Sequence, residues 1–269
     1  MIKSCISAAV CVKITAKMDI TFLTLSPASI ESFFSEGVLG RACQNGQLHI
    51  RAVNIRNYAT DKHHTVDDTP YGGGAGMLLK PDIVALAIED TQNKLNAENI
   101  KPYVILTSPG GRTFTQKVAQ KLAHKEALIF VCGQYEGIDA RINDIYIDDE
   151  ISLGDFVISG GEIAAAAMAN AVCRLLPNIL GDDTSAVTDS HSSGLLEYPQ
   201  YTRPSVFKGY NVPEVLLGGN HAKIEQWRWE QAFLKTLQKR PDMLKTYNFD
   251  ILNKTQRSFI DTLRKQKLI

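Results

Sequence analysis

Residues 131–162 read VCGQYEGIDARINDIYIDDEISLGDFVISGGE, the most informative stretch of the chain. It carries five glycines, Gly133, Gly137, Gly154, Gly160 and Gly161. Two more, Gly110 and Gly111, stand just upstream in SPGGR. They separate short β-branched runs at 127–131, 145–147 and 156–158. Glycine lets a backbone approach a ligand closely. Glycines at the ends of successive strands therefore describe a cleft walled by main chain. The stretch lacks the GxGxxG and GxxxxGK[ST] spacings of a dinucleotide or phosphate loop.

Working outward, strand signals fall at 20–25, 48–53, 103–107, 127–132 and 144–147. Helical patterns lie between and after them at 30–42, 81–95, 115–123 and 162–176. This alternation predicts a mostly parallel sheet covered on both faces. The last helix, EIAAAAMANAVCRLL, has small residues on nearly every side. That pattern is compatible with a tight helix interface and equally with a buried core helix. Residues 177–194 are polar and rich in Asp and Ser, which reads as a linker. Beyond them Asn220 is placed to cap a helix with Ile224, Trp227, Leu234 and Leu237 on one face. Pro241 opens a short helix, and a last helix covers 254–267. The N-terminal MIKSCISAAVCVKITAK has too short and interrupted an apolar run for a signal peptide. Met18 opens the first strand, so 1–17 reads as a dispensable extension.

Formal charge is zero, with 29 basic and 29 acidic residues, which alone argues against a nucleic-acid partner. The distribution is uneven. Between 148 and 200 Arg174 is the sole Lys or Arg against nine acids, whereas 201–269 holds thirteen Lys and Arg against six acids. A basic C-terminal module is compatible with RNA contact and with ordinary solvated helix faces. Cys5, Cys11, Cys43, Cys132 and Cys173 form no CxxC or metal spacing and read as reduced cytoplasmic thiols. His63 and His64 stand beside Asp67 and Asp68, but adjacent histidines point apart, against a shared metal. No run is long enough to span a membrane.

Six segments together carry a family resemblance: TVDDTPYGGGAGM (65–77), SPGGR (108–112), CGQYEGIDAR (132–141), SLGDFVISGGE (152–162), TDSHSSGLLEYPQYTRP (188–204) and VPEVLLGGNHAKIEQWR (212–228). In this order the chain resembles the bacterial tRNA (guanine-N1)-methyltransferase family of the knotted SPOUT class. The resemblance covers nearly everything from Met18 onward. It implies a SPOUT-type knotted parallel-sheet α/β domain at 18–176, a linker at 177–194 and a small helical tRNA-binding domain at 195–269. It also implies a cytoplasmic homodimer whose active site is shared between subunits.

The reaction implied is methyl transfer from S-adenosylmethionine to N1 of guanine 37 in tRNA. The resemblance assigns the cofactor to three loops: Thr107 and Ser108; Gly133, Tyr135, Glu136 and Gly137; Leu153, Gly154, Phe156, Ile158, Gly160 and Gly161. Guanine N1 carries a proton, so a general base is required, and the match puts the family's catalytic aspartate at Asp189. A cation near O6 would stabilise the charge left behind; Arg174 matches the family's arginine. Glu136 is carried over as catalytic and, with Asp189, as a magnesium ligand. Tyr71 and Gly76 are implied to contact the base. Ala75, Gln134 and Phe156 stand where many members have Pro, Arg and Tyr. Kept against this reading are a related enzyme acting on another nucleotide and a non-catalytic knotted RNA-binding protein.

Overall fold

In a computed structural model, residues 18–180 and 189–266 are described. The proposed extension 1–17, residues 181–188 of the proposed linker and residues 267–269 lie outside them. The chain divides into two compact units between Asp183 and Thr184.

The first unit is built on β1 (Met18–Thr24), whose seven residues are all buried. A strand buried on both faces belongs in the middle of a parallel sheet. With β2 (Leu48–Asn54), β5 (Pro102–Thr113), β6 (Ala127–Cys132) and β7 (Asp149–Ser152), it forms a five-stranded sheet of order β2-β1-β6-β5-β7. Every pairing is parallel. The strands β3 (Asp67–Asp68) and β4 (Leu78–Leu79) form a separate two-stranded ribbon.

Side chains alternate between two cores, as the pleat requires. Met18, Ile20, Phe22, Leu128, Phe130 and Cys132 enter one. There they meet α1 (Pro27–Phe34), α2 (Gly37–Gln44), α4 (Gln116–Leu122) and α6 (Glu162–Cys173). Leu23, Ile129 and Val131 enter the other, under α3 (Pro81–Ala97) and α5 (Ala140–Tyr146). The expected parallel sheet, clad on both faces, is present.

Two local expectations are corrected. Residues 144–147, read as a strand, belong to α5 and its end; the strand follows at Asp149–Ser152. Asp139 starts the helix by accepting the Arg141 N–H at 3.0 Å, and Ile142 is the residue it buries. The single helix expected at 30–42 is two, broken before Gly37, whose φ of +68° cannot continue a helix. The run 156–158 is irregular loop, with Val157 81% exposed.

The second unit has a small core of Leu195, Ala232, Phe233, Leu252, Ile260 and Leu263. A hairpin of β8 (Val206–Phe207) and β9 (Tyr210–Asn211) precedes a helical turn, α7 (Glu214–Leu217). There follow α8 (His221–Lys239), α9 (Pro241–Leu244) and α10 (Lys254–Lys265). Asn220 caps α8 by accepting the Lys223 N–H. The face of α8 that is most buried is centred on Phe233 and Thr236, not on the Ile224–Leu237 stripe, because Trp229 stacks on Phe233 at 5.5 Å. No helix among the described residues is long and apolar enough to cross a membrane.

Candidate active site

Because the sheet is parallel, β5, β6 and β7 release their following loops at one edge. Open α/β sheets bind ligands outside that carboxyl edge. Here the irregular stretch of β5 after Thr107 and the loops after Cys132 and Ser152, with the first turn of α6, line a cavity of about 570 Å³. That size suits a small-molecule site.

Thr107, Ser108, Gly133, Tyr135, Glu136, Gly137, Leu153, Phe156, Ile158, Gly160 and Gly161 all line the cavity. Gly154 does not line it. Its amide and carbonyl are both tied to the Ser152 hydroxyl, at 3.2 and 2.9 Å, and the Phe156 ring lies against it. Its part is to shape the turn that carries Phe156.

Two glycines are required by close packing. A Cβ on Gly161 would overlap the Thr107 hydroxyl and come within 2.8 Å of the Gly133 nitrogen. The Gly161 N–H already donates to the Gly133 carbonyl at 2.8 Å. A Cβ on Gly160 would strike the side chains of Gln134 and Glu162. Tyr135 adopts a φ of +57°, a strained conformation for a residue with a side chain and one that concentrates at functional sites.

The lining is acidic. Glu136, Asp144 and Glu150 contribute carboxylates, and among the described residues no Lys, Arg or His lines it. Asp144 and Glu150 were not anticipated, because 144–147 was read as a strand whereas Asp144 stands on α5 and Glu150 in β7; Gln134, between the expected Gly133 and Tyr135, was not anticipated as a lining residue either. Arg56 was also missed. Its guanidinium donates to the His64 carbonyl at 3.3 Å and reaches the Tyr135 hydroxyl at 3.5 Å. Beneath the cavity the Cys132 thiol is pushed well up by burial and, secondarily, by the Glu162 charge.

The 65–77 segment meets this cavity on one side. The Glu136 N–H donates to the Met77 carbonyl at 3.0 Å. Gly76 faces the Glu136 side chain so closely that a Cβ would overlap it. Gly76 is thus brought to the cavity loop, whereas Tyr71 is fully exposed in its turn.

Arg174 lies elsewhere on the first unit. Arg174 is exposed at the C-cap of α6. It is ten residues beyond Ala164, the helical residue that lines the cavity, or about 15 Å of helix at 1.5 Å per residue. Asp189 belongs to the second unit. It is half-buried in a turn where its carbonyl accepts the Ser192 N–H at 3.1 Å.

Fold and cavity define an α/β protein with a main-chain-walled, acid-lined small-molecule site at the carboxyl edge of a parallel sheet. Comparison with known proteins makes this specific. Residues 18–246 match the family model described as tRNA (Guanine-1)-methyltransferase TrmD. A tRNA (guanine-N(1)-)-methyltransferase of Dehalococcoides mccartyi is 49% identical over 246 residues, covering 91% of this chain and 97% of the relative. The Bacillus subtilis enzyme of the same name is 48% identical over 249 residues, covering 93% and 100%. That of Pediococcus pentosaceus is 51% identical over 229 residues, covering 85% and 92%. The chain belongs to the TrmD family.

Proposed function

We propose that this chain transfers the methyl group of S-adenosylmethionine to N1 of guanine 37 in tRNA. The observation that carries the reading is the acid-lined cavity at the sheet's carboxyl edge in a chain of this family. Adenosylmethionine is a cation with an adenine edge that backbone amides and carbonyls can read. Carboxylates in a lining without basic residues attract the sulfonium and lower the effective charge felt by the donor. Gly160 and Gly161 leave room for the ligand to lie against main chain.

In this reading Asp189 removes the N1 proton as the guanine nitrogen attacks the methyl carbon. The carbon–sulfur bond breaks and S-adenosylhomocysteine leaves. Arg174 stabilises the negative charge developing on O6. Gly76, packed on Glu136, puts the base-contacting segment beside the cofactor loop. Glu136 is an exposed cavity carboxylate, an oxygen donor of the type magnesium takes, and Asp189 is the second. Bound there, the ion would offset carboxylate charge at the site.

The placement of Arg174 supports a homodimer. At about 15 Å of helix beyond Ala164, it is too far along α6 to reach into the cavity that the same helix opens onto. Its role is filled if it serves the cavity of a second subunit, which makes the active site shared. The helical unit, where most of the C-terminal Lys and Arg lie, holds the tRNA through phosphate contacts. The knot belongs to the same reading, as a trait of the SPOUT class.

The test is nucleotide mapping by mass spectrometry of tRNA incubated with the enzyme and methyl-labelled adenosylmethionine. The label is expected on N1 of guanine 37. Label on another nucleotide, or none, contradicts the proposal.

A further inference from the structure

Glu162 opens α6 and is only 8% exposed. Its two carboxylate oxygens are taken by two different elements. The Thr24 hydroxyl, at the end of β1, donates to Oε1 at 2.5 Å. The Gln134 side-chain nitrogen, from the loop after β6, donates to Oε2 at 2.7 Å. Both donors are uncharged. The free N–H groups at the start of α6 add the positive potential that a buried carboxylate needs.

Gln134 also lines the cavity and pairs with Gly160 across an antiparallel bridge. Gly160 in turn sits against both the Gln134 amide and the Glu162 carboxylate. One hydrogen-bonded unit therefore joins the end of β1, the 133–137 loop, the 158–161 loop and the first turn of α6. A glutamine amide has a donor end and an acceptor end, and a flip exchanges them. A carboxylate only accepts, so it takes the donor end and leaves the carbonyl oxygen for another partner.

We propose that Glu162 is a positioning residue for cofactor binding: it fixes the flip of the Gln134 amide so that the cavity meets a hydrogen-bond acceptor there. The partner is a donor group of the bound cofactor, a hydroxyl or an amine. In Glu162→Gln the new side chain carries its own donor end, so one of Thr24 and Gln134 loses its acceptor and the flip is no longer imposed.

This rests on the reading that the cavity holds adenosylmethionine, and calorimetry separates the two. Binding of adenosylmethionine and S-adenosylhomocysteine is measured for the wild type, Glu162→Gln, Gln134→Met and the double variant. A wild type that binds neither ligand overturns the cavity reading itself. If Glu162 acts through Gln134, each single variant weakens binding about tenfold, as for one hydrogen bond, and the double variant is no worse than either single. Single-turnover methyl transfer at saturating cofactor stays within about threefold of wild type for Glu162→Gln, since the loss is one of binding and not of the chemical step. Wild-type affinity in Glu162→Gln, or losses that multiply to about a hundredfold in the double variant, overturns the inference. If Glu162→Gln does not fold, judged by circular dichroism, Gln134→Met alone decides: weaker binding supports the inference and unchanged binding overturns it.

Discussion

Gly161→Ala adds one methyl group where the structure has no room. The new Cβ overlaps the Thr107 hydroxyl and comes within 2.8 Å of the Gly133 nitrogen and 3.0 Å of the Cys132 Cα. Two of these atoms are backbone at the end of a central strand, so relief means moving the 133–137 loop or the start of α6. Overpacking of this kind costs about 1–3 kcal/mol. For a domain this size each kcal/mol lowers the melting temperature by about 2–4 °C, so a fall of about 2–12 °C is expected. Gly154→Ala is the control. Its Cβ would meet only the Phe156 ring, from 2.8 Å, and that ring can rotate away from an exposed position. Differential scanning calorimetry of both variants, followed by titration with adenosylmethionine, makes the comparison. Gly161→Ala should lose both melting temperature and cofactor affinity, while Gly154→Ala keeps most of its melting temperature. A Gly161→Ala protein with wild-type values for both would refute the packing argument.

Other outcomes follow from particular contacts. If the active site is shared, Asp189→Ala subunits and Gly161→Val subunits, each inactive alone, should regain activity when exchanged into heterodimers; none after verified exchange counts against a shared site. The Asp139 carboxyl is held below the usual carboxylate range by hydrogen bonds from Arg141, chiefly its guanidinium. A folded-state value below the unfolded one means that its stabilisation is complete above the ordinary carboxylate value and fades as pH falls through the depressed one. Asp139→Ala should therefore cost about 1 kcal/mol near neutrality, as for a lost N-cap, and progressively less in acid. A urea-midpoint difference constant across pH would contradict this. A protein beginning at Met18 should keep its melting temperature and turnover, since β1, the first strand of the core, begins there; a large loss in either would show that residues 1–17 matter.

Much of the first unit was legible because its central strands β1 and β6 are fully buried, and buried parallel strands read as continuous apolar runs. Ala127–Cys132 is such a run and forms the predicted strand without adjustment. The loops that line the cavity were legible for a related reason, since glycines at successive strand ends mark where backbone must approach backbone or ligand. Residues 144–147 misled because Ile145 and Ile147 look like strand, while the deciding signal was the Asp139 cap five residues earlier. Gln134 and Glu162 could not be paired from sequence. They are 28 residues apart, and only the crossover of α6 back to the sheet brings the carboxylate under the amide. Arg56 is hidden likewise, since its partners His64 and Tyr135 are joined to it by chain folding alone.

In the proposed mechanism Asp189 takes the proton from guanine N1. Single-turnover methyl transfer by Asp189→Asn, at saturating adenosylmethionine and tRNA, tests it most directly. The substitution is nearly isosteric and removes the proton acceptor. Losing a general base typically costs about a hundred- to ten-thousand-fold in rate. Cofactor affinity should hold, because the cavity is walled largely by main chain of the first unit's loops, and raising the pH should restore part of the rate by ionising the base without help. A neutral-pH rate close to wild type would eliminate Asp189 as the base and leave Glu136 as the next carboxylate to test.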